Sequence, residues 1–209
     1  MIDPQKIFVA VPCMDWRIDC VCAMGLLQVQ AVGGYAEPYF HVGCSNIALC
    51  RNEIAHHFMT NKPQYDWLMW IDSDIQFSVR DWELFWEGDE LLATAEYSRK
   101  EPELRPLRFG MGFVRVHRRI YEMLSVSNRE DGAPLLNQFY HKGQVYTDYF
   151  YNGATSDARW LGEDDGFWTI ARLAGLIPKI ETRTQLIHWG RAPFPYQPST
   201  NDKEYETNI

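Results

Sequence analysis

Asp72-Ser73-Asp74 places two carboxylates one residue apart, directly after the apolar run Tyr65-Asp66-Trp67-Leu68-Met69-Trp70-Ile71. A run of about seven mostly apolar residues suits a buried strand and is short for a helix, so the acidic pair arrives at a strand end. In a strand, residues i and i+2 face the same way, which lets Asp72 and Asp74 converge on one hard cation or on groups around it. An ion held by one or two carboxylates keeps positions open for water and substrate phosphates, as magnesium or manganese does with nucleotides. A solvated turn, with Ser73 or Asp74 capping the next segment, is the plainer reading of the same three residues.

Other residues able to do chemistry flank this pair. Arg51-Asn52 precedes it; Gly110-Met111-Gly112-Phe113, Trp160-Leu161-Gly162-Glu163-Asp164-Asp165 and His188-Trp189-Gly190 follow. In that order and spacing the set resembles the nucleotide-sugar-dependent glycosyltransferases of the GT-A fold, over roughly residues 6 to 190. Locally, Trp160 to Asp165 resembles the Trp-Gly-Gly-Glu-Asp-Asp stretch of the β-1,4-galactosyltransferases, with Leu161 in place of the first glycine.

The resemblance implies a metal-dependent transfer of a sugar from a nucleotide-diphosphate donor, UDP-linked, to a glycan or other hydroxyl acceptor. It implies Asp74 as a metal ligand, Asp72 as a ribose or second metal contact, Ser73 beside them at the nucleotide, and His188 as an imidazole ligand to Mn2+ or Mg2+. It makes Asp164 the base and Glu163 the group that orients the acceptor. Arg51 would face the diphosphate, with Cys50 where the family has alanine. Pro12 is expected to shape the nucleotide pocket, and Gly110 and Gly112 to let backbone approach the donor sugar closely. Only one carboxylate cluster, Glu163 to Asp165, is in a suitable place, which favours a single displacement and inversion.

Each of these residues also has a structural reading. Acids in a first helical turn complement the helix dipole, and Glu163 to Asp165 can do this and catalyse as well. A lone His188 suits packing, Arg51 suits an exposed helix face, Pro12 a strand stop, and the glycines a β-bulge. A non-catalytic sugar- or nucleotide-binding module of the same fold has no need of a base. A metal-dependent nucleotidyltransferase often carries a Gly-rich phosphate loop, and no G-x-x-x-x-G-K-[ST] occurs here.

With 209 residues and 46% hydrophobic content, the chain can bury one substantial core, so a single domain over 1–190 with a tail over 191–209 is expected. A net charge of -8 argues against an extended nucleic-acid surface. Arg115, His117, Arg118 and Arg119 form the main basic cluster besides Arg99 to Arg108, and read as a solvated helix face. Some of the 8 tryptophans are expected in a binding cleft. The five cysteines fall in the first quarter without zinc-knuckle spacing, which favours reduced, buried thiols and a cytoplasmic protein. No membrane or targeting segment is visible.

Positioning such a site calls for an α/β fold, with a mostly parallel, Rossmann-like central sheet flanked by helices. Strands are expected at Ile7 to Val11, Tyr39 to Val42, Tyr65 to Ile71, Glu90 to Tyr97, Gly110 to Val116, Ile177 to Ile180 and Gln185 to His188. Helices are expected over Asp19 to Gln30, from Ser45 or Asn46 to Met59, and over Arg80 to Trp86, Arg118 to Leu124 and Asp164 to Gly175. Residues 99–108 read as a surface loop and 127–157 as a loop with a small hairpin near the acceptor site.

Overall fold

The computed structural model describes residues 2–13, 16–43, 45–97, 109–154, 160–189 and 193–195. In chain order the elements are β1 (Ile7–Cys13), α1 (Cys20–Ala31), β2 (Pro38–Val42), α2 (Ile47–Asn61), β3 (Trp67–Ile71), β4 (Ile75–Gln76), α3 (Val79–Phe85), β5 (Leu92–Ala95), β6 (Phe113–His117) and α4 (Arg118–Val126). There follow β7 (Gln138–His141), β8 (Gln144–Thr147), β9 (Gly153–Ala154), β10 (Trp160–Leu161), α5 (Glu163–Leu173), β11 (Lys179–Glu181), β12 (Ile187–Trp189) and β13 (Pro193–Pro195).

Six strands form the central sheet in the order β11-β5-β6-β3-β1-β2. Both neighbours of β1 run parallel to it, as does β11 to β5, whereas β6 is antiparallel to β3 and β5. The expected mostly parallel α/β sheet is therefore present. Period-two alternation divides its side chains between two cores. Phe8, Ala10, Leu68, Trp70, Val114 and Val116 pack with α2, α4 and α5. Ile7, Val9, Val11, Trp67, Met69 and Ile71 pack with α1 and α3 on the other face. Burial on both faces explains why β1 and β3 read as continuous apolar runs.

The first strand runs two residues beyond the expected Val11. Pro12 pairs with His41 of β2, past Ala10, the last residue paired with β3, so the proline sits where only one strand flanks it. A three-stranded antiparallel sheet, β13-β12-β4, lies beside the main one and sets His188 opposite Ile75. The expected hairpin within 127–157 is β7–β8, held by α2: Asn52 Nδ2 donates to Asp148 Oδ1 at 2.8 Å, and its Oδ1 accepts from the Phe150 amide at 3.0 Å. The loop read over 99–108 lies outside the described residues, as does most of the tail. Cys13, Cys22 and Cys50 are buried, and Cys20 is exposed. No helix of the described residues is long and apolar enough to cross a membrane.

The basic cluster is only in part a solvated helix face: Arg119 is exposed on α4, whereas Arg118 is half-buried and Arg115 is buried. Arg115 sits on β6 with no exposure, its guanidinium over the Trp86 ring at 5.2 Å and Nη2 on Glu90 at 3.1 Å. Arg118 closes the C-terminal end of α2 by donating to the carbonyls of Phe58, Met59, Lys62 and Tyr65 at 2.7–3.1 Å. A cation there also complements the helix dipole. Arg118→Ala is expected to lower stability by about 2 kcal/mol, since hydrogen bonds to a charged group are lost and partly buried carbonyls lose their donors. The denaturant midpoint checks this.

Candidate active site

The carboxyl ends of β1, β2 and β3 share one edge of the sheet, and antiparallel β6 begins at that edge, opposite Ile71. Asp72 extends the ladder, its amide donating to the Gly112 carbonyl at 2.9 Å. The chain then turns: the Ile75 amide donates to the Asp72 carbonyl at 3.1 Å, and the Ser73 carbonyl accepts from Asp19, at the start of α1. Asp72-Ser73-Asp74 is therefore a turn, and the alternation of a strand does not govern its carboxylates. Asp72 Oδ1 accepts from Arg51 Nη2 at 2.8 Å. Asp74 Oδ1 lies 3.4 Å from His188 Nε2, and its carbonyl accepts from the Trp189 amide at 2.9 Å.

Arg51 is 1% exposed, which excludes the alternative reading of an exposed helix face. Asn46 caps α2 by accepting from the Leu49 amide, and Arg51 follows in the helix's second turn, its guanidinium 5.5 Å from the Trp70 ring centroid. Besides Asp72 it approaches Glu163 Oε1 at 3.8 Å and Asp164 Oδ1 at 4.0 Å. Burial alone would favour loss of its proton, but Asp72, Asp164 and Glu163 outweigh that and hold it charged. Its Nε and Nη1 are covered and have no hydrogen-bond partner. The arginine expected at the diphosphate is thus a buried hub for three carboxylates from two distant segments.

Glu163 and Asp164 open α5, as acids in a first turn should. The Asp164 side chain is 27% exposed, yet Oδ1 is covered and, with Arg51 Nη2 at 4.0 Å, accepts no hydrogen bond. Burial is the main force on this carboxyl; Arg51 opposes it, Glu163 and Asp72 add to it, and the Met111 amide opposes it, with the proton affinity pushed up to about 8. Gly112 is required by close approach: a Cβ there would lie 2.7 Å from Tyr97 Oη and 3.1 Å from Asp72 Oδ2. Pro12 lies at the same edge of the sheet, one residue before β1 ends.

Structure thus joins Arg51, Asp72, Glu163 and Asp164 in one group and Asp74 with His188 in another. Among the described residues no three His, Cys, Asp or Glu side chains gather closely enough to enclose an ion. The Asp74–His188 pair nonetheless suits a divalent cation. Oxygen and imidazole donors bonded at about 2.1–2.2 Å to one ion stand about 3 Å apart, and carboxylate with imidazole is a donor set manganese accepts. Sequence reasoning missed Tyr97, whose Oη accepts from the Gly112 amide at 2.9 Å and whose ring meets His188 edge-on at 5.4 Å. Its only signal was a tyrosine at the end of an expected strand. Also missed was Glu53, which receives Lys142 at 2.9 Å and His41 at 2.8 Å. Burial would raise its proton affinity, but these hydrogen bonds outweigh that and hold it below the usual carboxylate range.

No family model matches this sequence, and no curated protein matches it. Solved structures do. A197 from STIV superposes with a TM-score of 0.55 at 13% identity, covering 97% of this chain and 100% of that one. The catalytic domain of Drosophila beta1,4-galactosyltransferase 7, in complex with xylobiose, gives 0.53 at 17% identity over 96% of this chain and 79% of that one. A mutant of the Drosophila enzyme in complex with manganese, UDP-Gal and xylobiose gives 0.53 at 18% identity, over 96% and 78%. At such identities the likeness is one of fold, and the fold is the GT-A arrangement of a six-stranded, mostly parallel sheet flanked by helices.

Proposed function

We propose that this protein is a metal-dependent glycosyltransferase that moves a sugar from a UDP-linked donor to a hydroxyl acceptor with inversion. The observation that carries the reading is the convergence of Asp72, Glu163 and Asp164 on buried Arg51, with Asp74 and His188 beside them at the carboxyl edge of the sheet. Ligands of open α/β sheets bind at that edge. The Drosophila enzyme of this fold, in complex with manganese, UDP-Gal and xylobiose, supports the same reading by analogy of fold.

Asp74 and His188 would hold manganese or magnesium, with Asp72 as a further contact to the ion or the ribose. The ion, when bound, neutralises charge on the departing diphosphate. Asp164 takes the proton of the acceptor hydroxyl as that oxygen bonds to the anomeric carbon, while the bond to the diphosphate oxygen breaks and its electron pair leaves with the diphosphate. A base with proton affinity near working pH is efficient in this role. Glu163, one residue away, orients the acceptor. Arg51 places one buried positive charge among Asp72, Glu163 and Asp164, and the absent side chain at Gly112 lets the Tyr97 hydroxyl lie close to Asp72. One displacement inverts the anomeric centre.

A screen of nucleotide sugars for manganese-dependent release of nucleoside diphosphate tests this. One donor is expected to be turned over faster with a hydroxyl acceptor present, and proton NMR of the fresh product to show the inverted anomer. No turnover or binding of any nucleotide sugar would overturn the reading; a product with the donor's configuration would overturn inversion.

A further inference from the structure

Tyr97 is 2% exposed and lies where the two groups of the site meet. Its hydroxyl oxygen accepts from the Gly112 amide at 2.9 Å, so its one hydrogen remains to be donated. The position a Cβ would take on Gly112 is 2.7 Å from that oxygen and 3.1 Å from Asp72 Oδ2, which puts hydroxyl and carboxylate on the same side of the glycine. The charges of Asp72 and Asp164 both act on the hydroxyl. Leaving a buried donor unused costs about 1–3 kcal/mol, and the negative charges acting on this hydroxyl favour turning its hydrogen towards them. On its other side the ring meets the His188 imidazole at a 5.4 Å centroid distance and an 87° interplanar angle.

We propose that Tyr97 is the positioning residue that couples the two halves of the site. Its ring edge fixes the His188 imidazole for a divalent ion beside Asp74, and its hydroxyl, seated on the Gly112 amide, gives its hydrogen to the Asp72–Asp164 carboxylates. This rests on the glycosyl-transfer reading of the same site. Two parts of one side chain do the two tasks, so substitutions can separate them.

Tyr97→Phe keeps the ring and removes the hydroxyl; Tyr97→Leu removes both. Manganese is titrated into each full-length variant by calorimetry without donor, and kcat and KM for the nucleotide sugar are measured separately. Tyr97→Phe is expected to bind manganese within about twofold of the unaltered protein, with kcat about tenfold lower and donor KM little changed. Tyr97→Leu is expected to lose about 10–100-fold in manganese affinity as well, the usual effect of releasing a ligand's supporting contact. A merely structural tyrosine would shift the melting temperature of both variants and split neither manganese affinity nor kcat from the rest. Unchanged kcat in Tyr97→Phe, or unchanged manganese affinity in Tyr97→Leu, overturns the inference alone. An unaltered protein that neither binds manganese nor turns over any nucleotide sugar overturns the glycosyl-transfer reading and this inference with it.

Discussion

Asp74→Ala is expected to abolish manganese binding and, with it, most of the affinity for a nucleoside-diphosphate sugar, while the protein stays folded. Asp74 Oδ1 and His188 Nε2 stand 3.4 Å apart at the carboxyl edge of the sheet, and Asp72 Oδ1 is already held by Arg51 at 2.8 Å. Asp72, at most a further contact to the ion, is thus poorly placed to replace the lost ligand. Loss of a supporting contact costs about 10–100-fold in metal affinity, and loss of a direct ligand should exceed that. The carbonyl of Asp74, which accepts from the Trp189 amide, is untouched by the substitution and keeps that backbone contact in place. Calorimetry with manganese alone, then with donor plus manganese, is the check, with the melting temperature as control. Unchanged affinity would remove Asp74 from the metal assignment.

Much of this arrangement was legible in the sequence because local patterns report local physics. The apolar runs of β1 and β3 announced strands buried on both faces, Asn46 announced the start of α2, and the acids at Glu163 to Asp165 announced the start of α5. Depth was less legible. Nothing in Arg51-Asn52-Glu53 says that three consecutive polar residues are all buried, because their partners, Asp72, Asp148 and Lys142, lie 21 to 96 residues away. For the same reason residues 127–154 showed no usable periodicity: their order comes from α2 rather than from their own alternation. Arg115 misled because charge suggested solvent, whereas the rings of Trp67 on β3, Phe85 at the end of α3 and Trp86 lie against its guanidinium. The acidic pair was read on the geometry of a strand, whereas a turn sends its two carboxylates to different partners.

Asp164→Asn keeps the size of the side chain and removes the base. Donor binding is expected to persist while kcat falls by about 10²–10⁴-fold, the usual contribution of general base catalysis. Because only the ionised carboxylate can take the acceptor's proton, turnover of the unaltered protein should rise with pH towards a plateau, with the metal-free carboxyl titrating near 8 and a bound cation drawing that midpoint down. The asparagine variant should lose this rise. Stability supplies an independent reading. The folded carboxyl holds its proton more tightly than the ordinary value of 3.8, so its contribution to stability is complete below that value and is lost as pH rises through about 8. Asparagine carries no proton to lose, so the variant's melting temperature should gain on that of the metal-free unaltered protein as pH climbs from 4 to 8. Glu163 and Asp72, which push the carboxyl upward, remain in both proteins, so the difference reports Asp164 itself. If Asp165→Asn were instead the variant that lost turnover, with Asp164→Asn active and its melting profile parallel to the unaltered protein, the base would lie one residue further along α5, on the exposed side of its first turn.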